Sequence, residues 1–112
     1  MLRLLALGAI GLPGFAAAQG WQVQLGADIR AALEGRTVIY DGARQTLYAS
    51  GRTLYSTMED NWGRWRVEGD WYCSQWPPQE DWDCCVVSVS ADSSDVRFTD
   101  PFGNSTDGYF AE

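Results

Sequence analysis

The sequence predicts a mainly β domain: an antiparallel meander of up to eight short strands, forming a shallow or half-closed barrel, with one short N-terminal helix. Three observations carry this. Apolar residues alternate at period two over most of the chain after Thr37, turn-forming pairs interrupt the alternation at short intervals, and a helical period occurs only once, before Gly35. Successive hairpins give a meander, and eight strands is the number at which a small barrel can close. An open, curled sheet with the helix over one face or end is the alternative.

Residues 1–18 read as a secretory signal: Arg3 supplies the positive start, Leu4 to Phe15 the apolar run, and Ala16-Ala17-Ala18 the cleavage motif before Gln19. The run is short for a membrane span, and small residues rather than a basic cluster end it. No cysteine stands directly after the cleavage motif, which argues against a lipoprotein anchor. The expected product is a single domain, residues 19–112, periplasmic or secreted, with no membrane span once the signal is gone.

Leu25, Ile29, Ala32 and Leu33 share one helical face, with Asp28 in the first turn and Gly35 at the end. Two to three turns are too few to stand alone, so this helix must pack on the sheet. Residues 20–25 read as a leader into it. Thr37 to Tyr40 is β-branched and aromatic, and Asp41-Gly42 is a hairpin turn. Gln45 to Tyr48 and Arg52 to Tyr55 flank Ser50-Gly51 as the arms of a second hairpin, with Leu47 opposite Leu54. Ser56 to Gly63 reads as a polar loop.

The densest stretch runs from Trp62 to Cys85 and holds five of the six tryptophans and all three cysteines. Trp65 and Val67 alternate with Arg64, Arg66 and Glu68, and Gly69-Asp70 forms a two-residue turn. That loop pairs Val67 with Tyr72 and Trp65 with Ser74, so Tyr72, Ser74 and Trp76 face inward. Pro77-Pro78 ends the strand. Pairing Cys73 with Cys84 across the next turn keeps Cys85, Val87 and Val89 inside and leaves Trp82 outside. A Cys73–Cys84 disulfide is therefore expected, with Cys85 a spare, buried thiol. Later segments supply the last strands: Cys85 to Ser90, Val96 to Thr99, and Tyr109 to Ala111 after a long turn from Asp100 to Gly108.

Fifteen acids against eight arginines give a net charge of −7, or −8 without Arg3. So acidic a chain does not suit nucleic acid or anionic membranes. It has neither His nor Lys, which removes the commonest general base, the commonest metal ligand and the amine nucleophile. No cofactor or metal is expected. Asp100, Asn104, Ser105 and Asp107 carry oxygens but lack the spacing of a helix–loop–helix calcium site, and read as an ordinary turn. Asn104-Ser105-Thr106 matches a glycosylation sequon, relevant only in a eukaryotic secretory route. Glu80, Asp81 and Asp83 beside Trp82 would suit glycosidase-type chemistry only if they converged in a cleft.

Trp62, Trp71 and Trp82 are the candidate ligand- or partner-binding residues, because exposed tryptophans act as anchors. The competing reading has Arg64 and Arg66 stacked on them, or the helix covering them. The expected function is a non-catalytic exported binding or interaction module. It would be a monomer taking a small ligand in the barrel mouth or an exported protein on the tryptophan face. Protease inhibition through the Ser74 to Asp83 loop is a special case. The alternative is a small carboxylate-dependent hydrolase.

The stretch Gly63-Arg64-Trp65-Arg66-Val67-Glu68-Gly69-Asp70, with Tyr72-Cys73 and Trp82-Asp83-Cys84, carries a G-x-W-x-V-x-G-D-x-x-C core. With Gly35-Arg36-Thr37 and Ser50 to Tyr55, it resembles a group of uncharacterised small exported proteins of alphaproteobacteria. The core also recurs in lipocalin-like meanders. In such relatives the position of Cys85 is usually aromatic, which implies one structural disulfide and one spare thiol. The resemblance implies export, and no activity.

Overall fold

The period-two alternation becomes nine strands in the computed structural model, which describes residues 20–112; the expected signal and its cleavage point lie outside these residues. In chain order they are β1 (Trp21–Val23), then helix α1 (Ala27–Leu33), β2 (Arg36–Tyr40), β3 (Ala43–Leu47), β4 (Arg52–Ser56), β5 (Asp60–Glu68), β6 (Trp71–Gln75), β7 (Asp83–Ser90), β8 (Asp95–Thr99) and β9 (Ser105–Phe110). Each of β2 to β9 pairs antiparallel with the next, and β9 returns to β2 through Tyr109↔Ile39 and Phe110↔Val38. The meander is thus a closed eight-stranded barrel, not half-open. Closure leaves none of the eight as a free edge along its whole length, which protects a small sheet from edge pairing.

The ninth strand is β1, in the segment expected to be a leader. It pairs with β7 at Trp21↔Ser90 to Val23↔Ser88, beyond the point where β6 stops pairing at Cys85. Its three residues carry too little alternation to announce a strand.

The first central hairpin has the expected register, Glu68↔Trp71 through Trp65↔Ser74. Cys73 stands opposite Cys84 and is bonded to it, while Cys85 is free and faces Tyr72. Closing so short a loop stabilises the fold by roughly 2–3 kcal/mol in the chain-entropy account.

One hairpin differs from expectation. Leu47 faces Thr53, and Leu54 faces Thr46. The connection is three residues, Ala49-Ser50-Gly51, not two: Tyr48 N–H donates to the Arg52 carbonyl at 2.9 Å, and Gly51 has φ +93°. A three-residue loop ending in a left-handed glycine shifts the partner by one, and a one-residue shift exchanges the faces of the strand. Thr53 and Tyr55 therefore point inward and Leu54 outward. The expected polar loop from Ser56 also shortens, because β5 already starts at Asp60. The long turn after Thr99 likewise shortens, with β9 starting at Ser105.

The core is sealed at one end. Ile29 and Leu33 of α1 are fully buried and join Val38, Leu47, Trp65 and Phe110 in one apolar cluster. Trp65 is 2% exposed; its indole N–H donates to the Tyr48 carbonyl at 2.8 Å, and the Arg30 guanidinium lies 4.5 Å from its ring. The helix and Trp65 together plug the end of the barrel that carries the β3–β4 and β5–β6 turns. No helix among the described residues is long and apolar enough to cross a membrane.

Candidate functional site: the open end of the barrel

The opposite end, which carries the β2–β3, β4–β5, β6–β7 and β8–β9 turns, holds a cavity of about 670 Å³. Its size lies within the range of small-molecule sites. Inward alternation builds the wall from Tyr40 of β2, Gln45 of β3, Tyr55 of β4, Asn61 of β5, Tyr72 and Ser74 of β6, and Phe98 of β8. Trp76, just past β6, folds over the one inward glycine of β5. A methyl group on Gly63 would lie 2.5 Å from Trp76 Cε3, so only glycine leaves room for the indole.

The rings form a continuous series. Trp65 is 6.3 Å from Tyr72, Tyr72 is 5.1 Å from Phe98, Phe98 is 6.4 Å from Tyr40, Tyr40 is 6.2 Å from Tyr55, and Tyr55 is 6.0 Å from Trp76. Tilted and edge contacts at these spacings are the favourable ones for aromatic quadrupoles. The series leads from the plugged end to the mouth.

A buried amide organises the polar atoms of this wall. Gln45 is 5% exposed, and its Nε2 donates to Thr53 Oγ1 and to the Tyr72 hydroxyl, both at 3.0 Å. The Tyr40 hydroxyl donates to Gln45 Oε1 at 3.1 Å. Thr53 fixes this direction: its own proton goes to the Thr46 carbonyl at 2.8 Å, so toward Gln45 it can only accept. Gln45 must turn Nε2 to Thr53, leaving Oε1 for Tyr40. A buried amide with all these bonds made is stabilising, whereas one bond missing costs about 1–3 kcal/mol.

Both phenols are held neutral. Burial pushes the Tyr72 hydroxyl up to about 12, against the bonds from Gln45 and Ser74 that lower it. Burial pushes Tyr40 further still, with Tyr72, Tyr55 and Cys85 adding to the rise. The charged residues of the lining are Asp41 and Asp107, at the rim. Arg97 holds Asp107 below the usual carboxylate range with paired bonds of 2.7 and 2.9 Å.

The three tryptophans singled out in the sequence are not brought together. Trp62 and Trp71 sit at opposite ends of the β5–β6 hairpin, about 20 Å apart along the strand at 3.3 Å per residue. Trp62 is 46% exposed and stacks on Tyr48, with Arg52 over its ring at 4.1 Å; it also borders the cavity mouth. Trp71 is 41% exposed, on the outer face as expected. Trp82 is half-buried under the Arg66 guanidinium, which lies 3.9 Å from its ring and also pairs with Glu68. Arginine stacking therefore holds for two of the three, with Arg52 in place of Arg64.

Glu80, Asp81 and Asp83 are exposed, and none lines the cavity. Asp100 uses its carboxylate on the backbone N–H groups of Phe102 and Asn104, both at 2.9 Å, which makes the following turn and lowers its pKa. No group of three or more potential metal-ligating His, Cys, Asp or Glu side chains occurs among the described residues.

Compared with family models, with curated proteins and with solved structures, the chain has no match in any of the three. The wall residues that sequence reasoning missed are Tyr40, Gln45, Tyr55, Asn61 and Phe98. Phe98 and Tyr40 had a signal in their period-two position. Gln45 had the same signal, two residues before inward Leu47. Tyr55 had none, because the three-residue loop turns β4 over, and Asn61 had none, because it falls in the expected polar loop.

Proposed function

We propose that the protein is a non-catalytic binding protein of an oxidising, exported compartment, taking a small and largely aromatic or apolar ligand in the open end of the barrel. The asymmetry of the two ends supports this most. One end is packed solid by α1 and Trp65, while the other leaves about 670 Å³ open over aromatic walls. A barrel that only needed to be stable would fill both ends, since unfilled apolar space costs free energy. The Cys73–Cys84 bond favours the exported location, because disulfides persist where thiols are not kept reduced.

The hydrolase alternative needs two converging carboxylates, one with a raised pKa. Asp107, at the rim of the mouth, is shifted the other way by Arg97.

Native mass spectrometry with a panel of small aromatic compounds tests the reading. Saturable one-to-one complexes are expected that survive Trp82→Ala and disappear in Asn61→Trp, whose indole would fill the mouth from an exposed inward position. Complexes indifferent to Asn61→Trp, or none at all, would contradict it.

A further inference from the structure

We infer that the ligand is a protonated amine on an aromatic or apolar body, an arylalkylammonium in chemical class. This rests on the open end being a ligand site and adds what kind of ligand it selects.

Charge separates the candidates first. The chain has no lysine and no histidine, and no arginine lines the cavity, so an anion entering it would meet no countercharge. Near the mouth, Arg52 lies over Trp62 and Arg97 binds Asp107 and covers Trp21, while Arg44, beside the β2–β3 turn, is outside the cavity lining. Asp41 makes no ion pair among the described residues. Asp41 and Asp107 also line an adjoining groove with Asp95, so the approach to the mouth is acidic on that side. Three carboxylates against two guanidinium groups, neither of them in the lining, favour a cation, and a net charge of −7 over the whole chain draws cations toward it.

The wall selects an organic cation over a hydrated metal ion. Tyr40, Tyr55, Tyr72 and Trp76 present π faces or edges around the space, and a ring face attracts a cation that has shed much of its water. The carboxylates stand at the rim instead of converging within the cavity, which is not an arrangement for six to eight oxygen ligands.

The hydrogen-bond polarity then favours an N–H donor. Thr46 takes the proton of Thr53, Thr53 accepts from Gln45 Nε2, and Gln45 Oε1 takes the proton of Tyr40. The Tyr40 hydroxyl is left with lone pairs and no proton to offer. Being held neutral, it accepts from an ammonium without adding a negative charge. Three side chains, Thr53, Gln45 and Tyr40, thus convert the direction of one backbone carbonyl into an acceptor on the cavity wall. A quaternary ammonium satisfies the rings and the acids but not this acceptor, so a protonated amine fits all three.

The test is a titration by tryptophan fluorescence of one shape in three charge states: 2-phenylethylamine as its cation, 2-phenylethanol, and 3-phenylpropanoate. The amine is expected to bind about ten-fold or more tightly than the alcohol, the scale of a desolvated cation–π contact, with the carboxylate weakest. Asp41→Asn and Tyr40→Phe should each weaken the amine more than the alcohol and so narrow the gap between them. Adding N,N,N-trimethyl-2-phenylethylammonium separates the contributions: it should fall between amine and alcohol, and Tyr40→Phe should not weaken it. If the alcohol or the carboxylate binds as tightly as the amine, and Asn61→Trp removes that binding, the open end is a ligand site but the inferred selectivity is wrong. If none of the four binds, both readings fall.

Discussion

Trp65 is the residue on which the plugged end depends, because it alone joins the helix, the β3–β4 turn and the aromatic series. Trp65→Ala should cost about 3–5 kcal/mol, the range for deleting a large buried aromatic, which is most of the stability of a domain this size. Trp71→Ala, at an exposed outer position, should cost no more than about 1 kcal/mol. Denaturant melts of both beside the wild type check this, and a more damaging Trp71→Ala would mean that the two faces are exchanged. Tyr72 makes a second prediction at the same scale. An unfolded-chain tyrosine loses its proton near 10, whereas the folded hydroxyl keeps it to about 12. Between those values the folded state binds more protons than the unfolded one, so stability falls as pH rises. The contribution is fully present below pH 10 and is lost as pH passes about 12. Melts across pH 9 to 12 should show that decline, shallower in Tyr72→Phe; a flat profile in the wild type would contradict the buried, neutral phenol.

Hairpin β5–β6 shows what local sequence specifies well. Gly69-Asp70 fixes a two-residue loop, alternation fixes the faces, and Trp65, Tyr72 and Ser74 lie where alternation puts them. Hairpin β3–β4 shows where it does not. Ser50-Gly51 suggests a two-residue loop and an apolar Leu47–Leu54 pair, yet Ala49 joins the loop, and Thr53 and Tyr55 turn inward opposite Leu47 and Gln45. Alternation alone cannot detect this, since Thr-Leu-Tyr reads plausibly on either face. The deciding interactions, between Gln45 and Tyr72, lie 27 residues apart in the chain. The same loop length explains why Tyr55 was illegible as part of the cavity wall while the central hairpin was not. Strand β5 carries its own prediction: Gly63→Val places carbon 2.5 Å from Trp76 and 2.6 Å from the Gln75 carbonyl. Overpacking there should cost about 1–3 kcal/mol and push Trp76 out of the mouth, weakening ligand binding as well as stability. Unchanged stability, read from the same denaturant melts, would show that the indole does not rest on Gly63.

Over the whole molecule, the strand count was legible to within one and the single helix to within two residues at its start, because both follow from periodicity. Whether the sheet closes depends on β9 meeting β2, some 70 residues earlier in the chain, and no local pattern encodes that meeting. The exposed tryptophans stand out in the sequence as aromatic anchors, but closure scatters them over the outside and gathers Tyr40, Tyr55 and Tyr72 within. The central claim is that binding belongs to the inside of the open end and not to the tryptophans outside. Nuclear magnetic resonance of the ¹⁵N-labelled protein during titration with 2-phenylethylamine tests it directly, because every tryptophan indole and side-chain amide gives its own signal. The Trp76 indole and the side-chain amides of Asn61 and Gln45 should shift together and saturate, while the indoles of Trp71 and Trp82 stay still. Saturable shifts confined to Trp71 and Trp82, with the Gln45 amide unmoved, would place binding on the outer face and contradict the account.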